Sequence, residues 1–182
     1  GEHMTGYAGW TMGWDSGFGN DFGGSTFLGG LSTELTEDIN LIWATTFGDR
    51  GFGADTYMQS VVADVALTDS ANYIFQTDWQ QTNFGAGNED AYGINQYLIK
   101  TLNDCWAVGT RMEWFRDDSG TFIGNGPGSY WDWTLGANYT GPRGVVNRIE
   151  GRYDWFDGDG RPYAQNTKRS QFSVGWSSYF TF

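Results

Sequence analysis

The sequence predicts an all-β chain: an antiparallel, up-and-down transmembrane β-barrel of about ten strands, either whole or part of a larger barrel. Three observations carry this. Apolar residues recur at every second position rather than every 3.6. Tight turn signals alternate with longer, glycine-rich connections. The composition joins 28 Gly to 10 Trp, 10 Tyr and 13 Phe with only 3 Pro, a heavier aromatic load than a disordered glycine-rich chain carries.

The strands can be taken in chain order. Segments near 5–15 and 25–36 alternate weakly. Ile39, Leu41, Trp43, Thr45 and Phe47 face away from Asn40, Ala44 and Thr46. Tyr57, Val61, Ala63, Val65 and Leu67 face away from Ser60, Val62 and Asp64. Tyr73, Phe75, Thr77 and Trp79 alternate with Ile74, Gln76, Asp78 and Gln80. The segment 91–102 is a strand whose faces stay open around Gln96. Trp106, Val108, Thr110, Met112 and Trp114 then alternate with Ala107, Gly109, Arg111 and Glu113. Trp131, Trp133, Leu135, Ala137 and Tyr139 alternate with Asp132, Thr134, Gly136 and Asn138. In the ninth segment Val145, Ile149, Tyr153 and Trp155 share a face with Asn147 and Gly151, opposite Arg148, Glu150, Arg152 and Asp154. The last runs from Phe172 through Val174, Trp176 and Phe180 to Phe182, with Ser173, Gly175, Ser177, Tyr179 and Thr181 between.

The connections alternate in length. Thr36-Glu37-Asp38, Thr68-Asp69-Ser70, Asn103-Asp104 and Gly141-Pro142-Arg143-Gly144 read as tight turns; 15–24, 48–55, 84–90, 117–128 and 157–167 read as long loops. Pro127, Pro142 and Pro162 all fall in connections, as paired strands require. Short turns at one end and long loops at the other is the layout of a bacterial outer-membrane barrel, and ten strands then put both termini in the periplasm.

A soluble barrel also alternates, with its apolar face inside. Here the apolar face carries Trp and Tyr near the strand ends, as interfacial girdles do, while the opposite face mixes Gly and Ser with charges of both signs. No stretch approaches the roughly 20 apolar residues of a spanning helix. The net charge of −12 argues against a nucleic-acid partner. One cysteine, Cys105, permits no internal disulfide. Residues 1–182 read as one domain, with 1–4 a tag or cut end.

Glu113-Trp114-Phe115-Arg116-Asp117-Asp118-Ser119-Gly120, Arg148 to Trp155 and the closing Gln171 to Phe182 together resemble the C-terminal portion of the β-barrel porin-2, OmpL-like family. Gly9-Trp10 to Asp15 resembles a strand start in the middle of that family, so that the resemblance spans nearly the whole chain. The resemblance implies an outer-membrane pore protein whose partners are the lipid bilayer, lipopolysaccharide, small ions or solutes and the outer-membrane assembly machinery, with a homo-oligomer admitted. It also implies an assembly signal in the closing strand: Trp176, Phe180 and Phe182.

Spacing of two puts Arg148, Glu150, Arg152 and Asp154 on one strand face. With Asp64, Asp78, Arg111, Glu113 and Asp132 from other strands they form the expected pore lining. Their charges either set a transverse field that selects ions or pair across strands to stiffen the wall. No catalytic, cofactor-binding or metal-ligating set is expected. The single histidine, His3, lies outside the strands, which leaves an enzymatic reading without its usual base. Asp157-Gly158-Asp159-Gly160 lacks the spacing of an EF-hand and reads as a solvated turn. The competing expectation is a barrel that anchors surface loops and conducts little. Purified protein should need detergent to stay in solution and should migrate differently on gels before and after boiling. A compact monomer soluble without detergent would restore the soluble barrel.

Overall fold

A computed structural model describes residues 3–14 and 23–180. It contains ten antiparallel strands in simple sequential order: β1 (Met4–Thr11), β2 (Ser25–Thr36), β3 (Ile39–Asp49), β4 (Asp55–Thr68), β5 (Ala71–Asn83), β6 (Asn88–Thr101), β7 (Trp106–Asp117), β8 (Gly128–Thr140), β9 (Val145–Gly158) and β10 (Ser170–Phe180). Nine strands are 11 to 14 residues long and β1 has 8. A tilted strand crosses the hydrocarbon with roughly 9–11 residues, so most of these are long enough. Phe182 of the expected assembly signal lies outside the described residues.

The register settles every face. Gln96 stands opposite Phe75 and Met112, on the apolar side, while Tyr97 opposite Ile74 and Arg111 belongs to the polar side. Two of the tight turns share one device. The Thr36 hydroxyl accepts from the Asp38 amide and the Thr68 hydroxyl from the Ser70 amide, both at 3.3 Å, beside register shifts at Glu34/Thr36 and Ala66/Thr68. Such bulges tighten local twist where a strand reverses. In the third turn the Asn103 side chain accepts from the amides of Cys105 and Trp106, each at 3.0 Å.

Some boundaries move from expectation. β6 begins at Asn88, so the connection expected over 84–90 shrinks to 84–87; Asn83 and Asn88 pair through their side chains at 3.2 Å and extend the ladder. Similarly, Asp157 and Gly158 continue β9 by pairing with Ser129 and Gly128, so only the second half of that acidic segment is loop. β1 ends at Thr11, short of the expected residue 15.

The chain encloses little apolar core. Among the described residues, Ala54, Ala91, Val146 and Phe156 are the buried hydrophobic ones, against Thr26, Thr45, Thr56, Thr82, Asp117, Asp132, Thr134 and Asp154 among polar ones. Its accessible surface is 11611 Å². A compact globule of 20.3 kDa exposes about 8,800 Å². Both facts describe a single curved layer that buries its polar side, the inverse of a soluble barrel. Among the described residues β1 pairs only with β2 and β10 only with β9, so the sheet is open along these two strands. Alternation does not encode closure, which depends on strand tilt and shear.

On the exposed apolar face, aromatic rings form a band near the loop end. Trp10 meets Phe27 at 6.3 Å, Phe27 meets Phe47 at 5.1 Å, and Tyr57 meets Trp79 at 5.4 Å. Trp114 and Trp131 follow at 6.2 Å, and Trp131 stacks on Trp155 at 5.8 Å. At the turn end Trp106 lies 4.9 Å from Tyr139. Two girdles flanking an aliphatic band are what an interface-spanning sheet requires. Polar groups on this face bond within the sheet: Thr45 donates to the Met58 carbonyl at 2.9 Å and Thr110 to that of Thr134 at 3.1 Å. Leu135 is half exposed in the middle of β8. Leu135→Arg should therefore cost about 2–4 kcal/mol in unfolding from bilayers, while Ser177→Lys on the polar face should cost far less. Equal costs would contradict the assignment of faces.

Candidate functional site

All nine charged residues singled out in the sequence stand on the polar face. Asp64 and Asp78 stand there on β4 and β5. Glu113 lies opposite Asp132, which lies opposite Asp154, so three carboxylates from three strands meet in one row. Like charges directly opposed destabilise a sheet unless cations separate them. Two arginines do so. The Arg152 Nε donates to Asp154 at 2.6 Å and is ion-paired with Asp132, while its Nη1 stands 3.9 Å from Glu113. Arg111 stands 3.1 Å from Glu113 and 3.4 Å from Asp132 and lies over the Tyr97 ring.

The knot is completed by neutral groups. Thr134 donates to Asp132 at 3.1 Å and Gln171 to Asp154 at 2.9 Å. Asp132 and Asp154 are each only 3 % exposed, whereas the Arg152 side chain remains 42 % exposed. The carboxylates are thus fixed and desolvated, and the guanidinium reaches open space.

The other four stand apart. Arg148 donates to Asn138 at 2.9 Å and lies 3.7 Å from Glu150, both half exposed. Asp64 accepts from Asn72 at 2.6 Å and Asp78 from Gln76 at 3.0 Å. Spacing could place Arg148 and Arg152 on one face, but only the tertiary arrangement separates a half-exposed pair from a buried knot.

Two cavities open along this face. One of about 500 Å³ lies toward the loops, against Asp78, Gln80, Asp132, Arg152 and Asp154; the other, of about 340 Å³, lies toward the turns, against Tyr97, Arg111, Asn138, Arg148 and Glu150. The larger is bordered by Phe115 and Tyr130, which alternation by itself does not place there, with Phe156 packed behind Tyr130. Phe115, Tyr130 and Phe156 share the parity of the charges, yet aromatic character suggests the lipid side. The Phe156 ring is buried against Gly128 and Gly158: a Cβ at either glycine would stand 2.2 and 2.4 Å from it. Tyr130 lies 4.6 Å from Phe156 and 6.1 Å from Phe115. From the β9–β10 loop, Tyr163 reaches the same cavity, where burial and the nearby Asp154 carboxylate push its phenol up to about 12. It stays neutral across the physiological range.

Removing Arg152 would leave Asp132 and Asp154 without their shared cation. Arg152→Ala should cost about 1–3 kcal/mol in urea unfolding, below the ~3–5 kcal/mol of fully buried pairs because this guanidinium is partly hydrated. Arg148→Ala, at a half-exposed pair, should stay within about 0.5 kcal/mol. Similar costs for both would show that the knot is not a structural unit.

No curated protein matches the chain. A family model does, the one described as beta-barrel porin-2, OmpL-like, and it matches residues 2–182, essentially the whole chain, as the sequence resemblance implies. With an antiparallel sheet that turns its apolar face outward and its charges inward, the chain belongs to this family of bacterial outer-membrane β-barrel porins.

Proposed function

We propose that the chain forms the wall of a porin-type channel for passive diffusion of ions and small polar solutes, and that it is not an enzyme. The observation that supports this reading best is the shared face of the nine charged residues named above, eight of which line two successive cavities. Water and ions need a polar wall, and lipid needs the apolar one. On this reading β1 and β10 are paired in the membrane, because unpaired backbone groups are costly in hydrocarbon. The short turns then face the periplasm with both termini, and the long loops face outward toward lipopolysaccharide. The assembly machinery reads the closing strand with Trp176, Phe180 and Phe182, and a homo-oligomer is compatible with the exposed apolar face.

Selectivity follows from charge. The whole chain carries −12, and the knot sets three carboxylates against two guanidiniums. An acidic mouth concentrates cations. Screening sets in beyond roughly 10 Å at 0.1 M salt, so the preference shrinks as salt rises.

Protein purified from outer membranes should therefore conduct in planar bilayers with a modest cation preference that weakens with salt. Arg148 faces the smaller cavity without holding the knot together. Arg148→Ser should raise conductance, by no more than about twofold, and strengthen cation preference. A folded, heat-modifiable protein without conductance would refute the channel and leave a membrane anchor.

A further inference from the structure

The β7–β8 loop, residues 118–127, does not stand clear of the rim. Its Ile123 borders the larger cavity together with Asp132, Arg152 and Asp154. What holds it there is Asp117, the last residue of β7, which stands opposite Ala91 and Gly128 in the polar row. Asp117 is 0 % exposed. Its carboxylate accepts from the Gly120 amide at 2.7 Å, the Ile123 amide at 3.0 Å and the Ser119 hydroxyl at 3.4 Å. A buried carboxylate is tolerable only with such donors, and bonds to an ionised acceptor are the stronger kind. The loop cannot swing outward without stripping them.

Two further contacts stiffen the loop. Gly120 has φ +80, and a Cβ there would stand 2.3 Å from the Gly126 carbonyl carbon, so the neck is pinched shut. Gly160 of the neighbouring loop lies against the Asn125 carbonyl, where a Cβ would stand 2.3 Å away. The Ile123 side chain itself is 48 % exposed and so is not committed to a core.

We propose that this loop is a fixed constriction of the channel, with Asp117 as its positioning residue and Ile123 as the side chain that sets the width of the passage beside the ion knot. The proposal rests on the channel reading and adds a residue-level size limit to it. Enlarging Ile123 narrows the passage; releasing Asp117 lets the loop leave it.

The test uses full-length protein purified from outer membranes, in planar bilayers and in liposomes swollen with sugars of graded size. Ile123→Trp should lower conductance about twofold, and Ile123→Ala should raise it. Asp117→Ala should raise conductance and the sugar size limit, with Asp117→Asn smaller in effect because one oxygen still accepts from Gly120. In a Cys105→Ser background, Ile123→Cys should lose current when a charged, water-soluble methanethiosulfonate is added. Should Asp117→Ala fail to fold, the Ile123 variants decide alone, since a half-exposed side chain tolerates exchange. Wild-type current in Ile123→Trp and in the modified Ile123→Cys protein, both heat-modifiable, would overturn the constriction while leaving the channel intact. Absence of current in the wild type would overturn both.

Discussion

Hydrocarbon offers no hydrogen bonds, and that absence shapes the whole molecule. Each strand must satisfy its backbone through its neighbours. The unbroken β1 to β10 ladder does so, and on the apolar face Thr45 and Thr110 give their hydroxyl protons to main-chain carbonyls. With the backbone satisfied, alternation is free to send apolar side chains outward and polar ones inward. That arrangement explains why, glycines aside, the buried residues described are mostly threonine and aspartate, and why Trp131 and Trp155 stack where a soluble protein would place charge.

Turning the polar side inward creates a second problem, since carboxylates on β7, β8 and β9 then face one another. The knot resolves it. Arg152 spans Glu113, Asp132 and Asp154, while Arg111 holds the first two from the opposite side. Guanidinium suits this place because its planar array of donors serves several carboxylates at once. The knot both stiffens one wall and presents charge to the cavities, so the structural and electrostatic readings of these residues describe one object.

The loops belong to the same design. Asp117 closes β7 within the polar row and at once organises the segment that follows, so the rim is built from the wall itself. Tyr163 arrives at the same cavity from the next loop, and the Phe156 ring fills the space left by two glycines. The upper part of the polar face is therefore more apolar than a simple division of the faces suggests.

Alternation of period two, tight turns with Thr or Asn at their start and prolines confined to connections determine the ten strands, the faces of most of them and the inverted barrel class; the faces around Gln96 needed the register. Each is a local property that one strand displays by itself. The nine charges are legible for the same reason, because spacing of two places them on a face. Closure, the grouping of Glu113, Asp132, Arg152 and Asp154, and the inward course of the loop at Asp117 are decided only by tertiary structure. Register between strands far apart in sequence sets which carboxylates meet, and a buried carboxylate directs a loop only once its neighbours have excluded water. Phe115, Tyr130 and Phe156 show the limit: parity points them inward, residue type points outward, and the glycine-lined space beside them settles the matter.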